Sequence, residues 1–213
     1  RQLYSEVDAW FSACLQAGGA ALACHGGCSA CCRGLFDITL LDAWLLKEAF
    51  AELPEAVRRR VLERCQPRLA ELQQRWPELK NPYLLNALPE EEWSEMPEDD
   101  LTPCPLLDDS GFCLVYDSRP LTGRLHGLPN IDVSGEDFEG VFCTLHPGVP
   151  DDVPNHLLRW RFRDVFSTEV ELFQRFTEEL SGRPWQEHER AFVRDRMAET
   201  YVQFTDRVEQ GRS

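Results

Sequence analysis

Cys24-His25-Gly26-Gly27-Cys28-Ser29-Ala30-Cys31-Cys32 puts four thiols into nine consecutive residues, in the pattern C-x3-C-x2-C-C. Thiolate is a soft ligand, and short separations of this kind let one loop wrap an ion or a cluster. Gly26, Gly27 and, just beyond, Gly34 supply the backbone freedom that wrapping needs. Three more cysteines follow at a distance: Cys104, Cys113 and Cys143. Seven of the nine cysteines thus fall into two groups that read as one metal site, and the fold must bring the groups together. The adjacent pair is informative. Cys31 and Cys32 project differently and do not easily bind one tetrahedral ion; they suit two metals, two irons of a cluster, or one ligand and one core residue.

Outward from the cysteines the pattern is helical. Residues 5–17 carry Val7, Trp10, Phe11, Cys14 and Leu15 at helical spacing, with Gly18-Gly19 as a stop. Thr39 followed by Asp42, ahead of Leu40, Leu41, Trp44, Leu45 and Ala49, is a capping box with Ile38 as its staple. A long helical stretch runs from Pro54 to about Trp76, and Pro67 is expected to kink or break it. The stretch 77–103 is a long connection rich in Pro and acid, with one short helix expected near 90–96. Residues 104–149 read as loops, with a small hairpin over 106–116 that turns through Asp108-Asp109-Ser110-Gly111. From Pro154 the helical stripe returns as Leu158, Phe162, Val165, Leu172, Phe176 and Leu180, widened by Phe166 and Phe173. A last helix is expected over 186–209. Cys14 and Cys65 lie within helical stretches and read as packing residues, outside the ligand set. The fold expected is mainly α: one domain over 1–213, with a loop-dominated cysteine region at about 24–146 and C-terminal helices at about 154–209.

Composition narrows the function. With 213 residues and 43% hydrophobic content, the chain builds a normal core without disulfides. An odd number of cysteines, two of them adjacent, also ranks a disulfide-stabilised exported protein below a metal protein. The formal net charge of -15 disfavours nucleic acid and anionic membrane surfaces as partners. No apolar run is long enough to span a bilayer, the opening residues carry no signal-peptide core, and free thiolates suit a reducing, cytoplasmic setting. The partner expected is a protein or a small-molecule substrate. There is no phosphate loop, no Gly-x-Ser-x-Gly elbow and no His-Glu-x-x-His. The C-x3-C-x2-C spacing also occurs in radical S-adenosylmethionine enzymes. Ala30 stands where those usually have an aromatic, and no strand–helix alternation follows.

Cys28-Ser29-Ala30-Cys31-Cys32, then Cys104-Pro105-Leu106-Leu107, Cys113-Leu114-Val115-Tyr116, Arg119-Pro120-Leu121 and Arg124 resemble the YkgJ-type cysteine-cluster proteins. These are described as zinc- or iron-chelating, or as iron–sulfur-cluster-containing, and flagellin lysine N-methylases carry the same cysteine cluster. The resemblance spans about residues 24–146 and does not reach the C-terminal helices. It implies a metal site built from Cys24, Cys28, Cys31, Cys32, Cys104, Cys113 and Cys143, with Cys28, Cys31, Cys104 and Cys113 the best supported. The family pattern Arg-Pro-x-x-Cys-Arg departs here at Gly123, where a cysteine is usual. His146 first, then His126 or His25, water or substrate are the candidate replacements, and an open coordination position is conceivable. Arg119 and Arg124 are candidates for tuning the cluster or holding an anionic ligand, with ion pairing to surrounding acids as the equal alternative. The function expected is an iron–sulfur or other iron–thiolate centre with a redox or methyl-transfer-linked role. The alternative is zinc that staples the loops of a protein-interaction module.

Overall fold

The computed structural model describes residues 1–18, 22–35, 38–80, 100–136, 138, 143, 145 and 155–186. The expected helices at 90–96 and 186–209 lie outside or almost outside these residues. Among the described residues the protein is mainly helical. Helix α1 is Gln2–Gly18, α2 is Leu40–Glu52 and α3 is Glu55–Arg75. A 3-10 turn, Tyr116–Ser118, leads into the short α4, Leu121–Leu125. Two-residue strands β1, Ile131–Asp132, and β2, Arg159–Trp160, flank the short α5, Asn155–Leu158, and α6 is Phe162–Ser181.

The core forms where the two ends of the chain meet. Helix α1 buries Leu3, Tyr4, Val7, Trp10 and Cys14, as its spacing predicts. Against this face stand Leu121 and Leu125 of α4, Leu128, Leu158, and Phe162, Val165, Phe166 and Phe173 of α6. Phe162 is fully enclosed. Its ring meets Trp10 edge-on at 5.0 Å and Trp160 edge-on at 5.6 Å, while Trp10 and Trp160 stack at 5.3 Å. Each such side chain contributes about 1.5–3 kcal/mol through area removed from water, and the ring geometry adds somewhat more.

The capping box forms in full. Thr39 Oγ1 accepts from the Asp42 N–H at 2.9 Å, and the Asp42 carboxylate accepts from the Thr39 backbone in return. Of the kink or break expected at Pro67, the break does not occur: helix α3 continues through it. One proline deletes one backbone donor from a 21-residue helix, and ladders on both sides keep the remaining turns closed. The single stripe expected from 154 onward is interrupted. Residues 159–160 leave the helix to pair in parallel with β1, Ile131 opposite Arg159 and Asp132 opposite Trp160. Asp132 then caps α6 from outside: its Oδ1 accepts from the Arg163 N–H at 3.1 Å, while Oδ2 accepts from Ser134 N–H at 2.9 Å. Gly182, in the left-handed region, ends α6.

A polar group sits inside this core. Asp42 of α2 and Glu169 of α6 are both buried, and each has one carboxylate oxygen with no hydrogen-bond partner. Tyr4 of α1 donates its hydroxyl to Asp42 Oδ1, and the Arg124 guanidinium lies over the Tyr4 ring, 4.5 Å from its centroid. Burial, and then the charge of Asp42, push the Glu169 carboxyl well above the usual range, so Glu169 carries a proton in the folded protein. A carboxyl whose folded value is raised binds more protons folded than unfolded, so its contribution to stability falls as pH rises above the unfolded value. Glu169→Gln should therefore match the wild type near pH 5 and gain on it progressively towards pH 8, read as a widening gap in Tm. A gap independent of pH would refute the buried-proton assignment. Phe162→Ala should cost about 3–5 kcal/mol in denaturant unfolding, as expected for an enclosed aromatic.

Candidate metal centre

Two loops build the site. In the first, two turns bend the chain around the cysteines: the Cys28 N–H donates to His25 O at 2.9 Å, and the Cys32 N–H to Ser29 O at 3.0 Å. In the second, Leu107 and Cys113 form a single antiparallel bridge, with Leu114 N–H donating to Leu106 O at 2.9 Å. This is the expected hairpin reduced to its turn. Asp108 closes it by accepting from the N–H groups of Ser110 and Phe112.

The loops lock together through their backbones. Cys104 N–H donates to Cys32 O at 2.8 Å, Gly34 N–H donates to Thr102 O at 2.8 Å, and Arg33 pairs with Pro103. The approach is too close for side chains. A Cβ at Gly34 would stand 2.7 Å from Asp100 O, and one at Gly111 would stand 2.7 Å from Gly27 O. Gly34 and Gly111 also have φ of 75° and 85°, so two constraints select glycine at each position.

The sulfur atoms of both loops gather around Arg119. Its Nη2 lies 3.4 Å from Cys31 Sγ and 3.7 Å from Cys32 Sγ. The Cys31 thiol donates to Cys32. That bond, with Arg119 assisting against burial, brings Cys32 down to about 7, and the same bond with burial pushes Cys31 up. Burial pushes Cys24 up to about 11, helped by neighbouring Cys28, Cys31 and Cys143. Cys104 and Cys113 are raised by burial, although each sulfur accepts a backbone N–H from two residues on, Leu106 and Val115. Each of the seven sequence-predicted cysteines lies within electrostatic reach of at least one other. Cys14 does not: it is buried against α5, and its thiol donates to Leu157 O at 3.2 Å.

The remaining candidates separate. Arg124 is almost fully buried and is engaged within the protein: it pairs with Asp8 and donates to Arg119 O at 2.8 Å and Tyr116 O at 2.6 Å. Gly123 is buried in α4, and a Cβ there would stand 3.0 Å from Arg119 Nε, so the missing side chain leaves room for this arginine. His126 is half-buried, and burial together with Arg119 lowers its affinity for a proton, which keeps the imidazole neutral. His25 is exposed, with Nδ1 2.9 Å from Gly26 O. His146 lies outside the described residues.

Among the described residues, no three His, Cys, Asp or Glu side chains already surround one point as ligands do. The donor set nevertheless fits a soft cation. Thiols from distant parts of the chain crowd together, oppose one another's ionisation, and receive backbone N–H groups that stabilise sulfur charge. A soft cation held here by Cys31, Cys32, Cys104 and Cys113 would relieve that crowding, and closure of the ligands would accompany its binding. No protein-family model, no curated protein and no solved structure matches the chain.

One feature is not visible in the sequence: the Asp42–Glu169 pair is hidden because Glu169 interrupts an apolar stripe as a surface residue would. Cys65 is half-buried in α3, within electrostatic reach of Cys104. Arg119→Leu should slow iodoacetamide labelling of Cys32 in the reduced, metal-free protein roughly three- to tenfold at pH 7, because the thiolate loses its cation. Peptide mass spectrometry measures it, and an unchanged rate would show that Arg119 does not stabilise the Cys32 thiolate.

Proposed function

We propose that the chain is a metal-binding cysteine-cluster protein that holds an iron–sulfur or other iron–thiolate centre and serves a redox or methyl-transfer-linked role. The observation that carries this reading is that the Arg119 guanidinium contacts Cys31 and Cys32 and has Cys24, Cys104 and Cys113, from both loops, within its electrostatic reach. Seven thiols exceed what one tetrahedral ion needs, which favours an iron centre of higher nuclearity. When bound, such a centre would supply electron transfer. The residues around it have separate work. Leu106 and Val115 direct N–H groups at sulfur, Arg119 offsets negative charge, and Arg124 holds Arg119 through its backbone carbonyl. The methyl-transfer element rests on the resemblance to the YkgJ-type proteins and flagellin lysine N-methylases alone.

A second reading is a zinc staple for a protein-interaction module. It is favoured by how little else holds the two loops: isolated bridges and a few backbone bonds in place of a buried apolar cluster. Among the described residues no helix is long and apolar enough to cross a membrane. The charge of -15 favours a protein or small-molecule partner over nucleic acid, and the free thiols favour a reducing cytoplasmic setting.

Anaerobic purification followed by an absorption spectrum, metal analysis and acid-labile sulfide on one sample tests both readings. Iron with sulfide and broad visible absorption is the expected result. A colourless protein with stoichiometric zinc would favour the staple, and a protein with neither metal would remove both.

A further inference from the structure

Helix α2 is held differently from its neighbours. Helix α1 buries Leu3, Tyr4, Val7, Trp10 and Cys14, and α6 buries four apolar side chains around Glu169, whereas the one fully buried residue of α2 is Asp42. Leu40, Leu41 and Leu45 reach the core only in part, and Trp44, edge-on to Phe176 of α6 at 5.8 Å, is 42% exposed. The deepest anchor of α2 is therefore polar. Asp42 Oδ1 accepts from the Tyr4 hydroxyl of α1, while Oδ2 has no partner. Glu169 of α6, buried within electrostatic reach, likewise has Oε2 without a partner. Two carboxyls in one dry junction do not both ionise. The Tyr4 hydroxyl and the backbone N–H groups of Thr39 and Leu121 stabilise charge on Asp42, so the proton stays on Glu169. Among the described residues, the other groups facing the junction are Tyr4, kept protonated by burial and by Asp42, and Arg124 of α4, which lies over the Tyr4 ring and pairs with Asp8. Lys47 and Glu48 of α2, Asp117 of the 3-10 turn, and Glu171 and Arg175 of α6 are exposed.

We propose that α2 is a strap latched by a proton: it closes on α1 and α6 while the Asp42–Glu169 junction holds one proton, and it lifts away when that proton leaves. The position of α2 gives the strap something to cover. It packs on the Tyr116–Ser118 turn as well as on α6, and that turn leads directly to Arg119, which contacts Cys31 and Cys32. Lifting α2 therefore uncovers the segment that carries Arg119 to the sulfurs. The sign follows from the proton count. With α2 lifted, Glu169 meets water and ionises above its ordinary value of 4.5, whereas the closed form keeps the proton. The contribution of the junction to closure is whole below that value and fades as pH rises above it. Opening releases one proton, so its equilibrium constant grows about tenfold per pH unit until the closed form itself ionises.

The test is amide hydrogen exchange of the reduced, full-length protein between about pH 5.5 and 8, read by peptide mass spectrometry as protection factors, which removes the pH dependence of intrinsic exchange. Peptides of α2 should be at least about tenfold less protected than those of α1 at each pH, as a separate local opening requires. Their protection should fall about tenfold per pH unit. Glu169→Gln, which keeps the shape of the side chain and cannot ionise, should flatten that slope and keep α2 closed at pH 8. Equal protection of α2 and α1 at every pH would show that α2 does not open by itself, which overturns the strap and leaves the buried proton standing. An α2 that opens ahead of α1 without a slope, or a slope that survives in Glu169→Gln, would show that opening releases no proton from Glu169, which overturns the latch. Far-ultraviolet circular dichroism checks that the variant folds, and the comparison of α2 with α1 in the wild type decides the first point without it.

Discussion

A guanidinium held almost out of water organises the molecule. Arg124 is about 1% exposed, and it satisfies its donors on Asp8 of α1, the Tyr116 carbonyl and the Arg119 carbonyl, with its flat face towards Tyr4 and Tyr116. A buried charge is tolerated only when its hydrogen bonds are made, so these partners are obligatory to one another. Their positions in turn set the rest. Asp8 and Tyr4 fix α1 against α4. The two carbonyls fix the turn from 116 to 119, and that turn carries the Arg119 side chain to the sulfurs. Among the described residues, this polar connection joins the α1–α4 core to the cysteine loops, beside the Arg64 and Arg68 contacts of α3.

The polar connection extends to the far side of α1. Tyr4, under Arg124, donates to Asp42, and Asp42 neighbours the protonated Glu169. Helices α1, α2, α4 and α6 therefore meet around one set of buried polar groups. Apolar packing alone would tolerate several helix rotations. This set selects among them, because rotating α1 or α4 would strip the buried Arg124 guanidinium of its partners.

The parts of the fold visible in the sequence were those governed by local rules. The spacing of Val7, Trp10 and Cys14, the Thr39–Asp42 box and the Asp108-Asp109-Ser110-Gly111 turn each act over a few residues, and each is found. What was not visible depended on remote partners. The break at Arg159–Trp160 follows from pairing with β1, some thirty residues away, and from Asp132 capping the next helix. The cysteine set was legible in outline because thiol spacing has its own chemistry. The docking of α3 on residues 100–109 was not, because it depends on two arginines whose partners lie far along the chain. Arg124 had been weighed evenly between a ligand-facing and a structural role, and the contacts it makes are internal.

The close backbone contact between Gly27 and Gly111 bears on how the protein is made. Residues 24–32 leave the ribosome as a loop with four thiols and no partner. Their counterparts begin some seventy positions later, and Cys143 later still. At about 5–20 residues per second the delay is several seconds, during which the first loop carries bare sulfur. Closing so long a loop costs only a little more entropy than closing a short one, so timing and redox protection are the harder requirement. On the proposed metal-binding reading, delivery of metal would be confined to the end of synthesis, when both loops and the helix that braces them are in place.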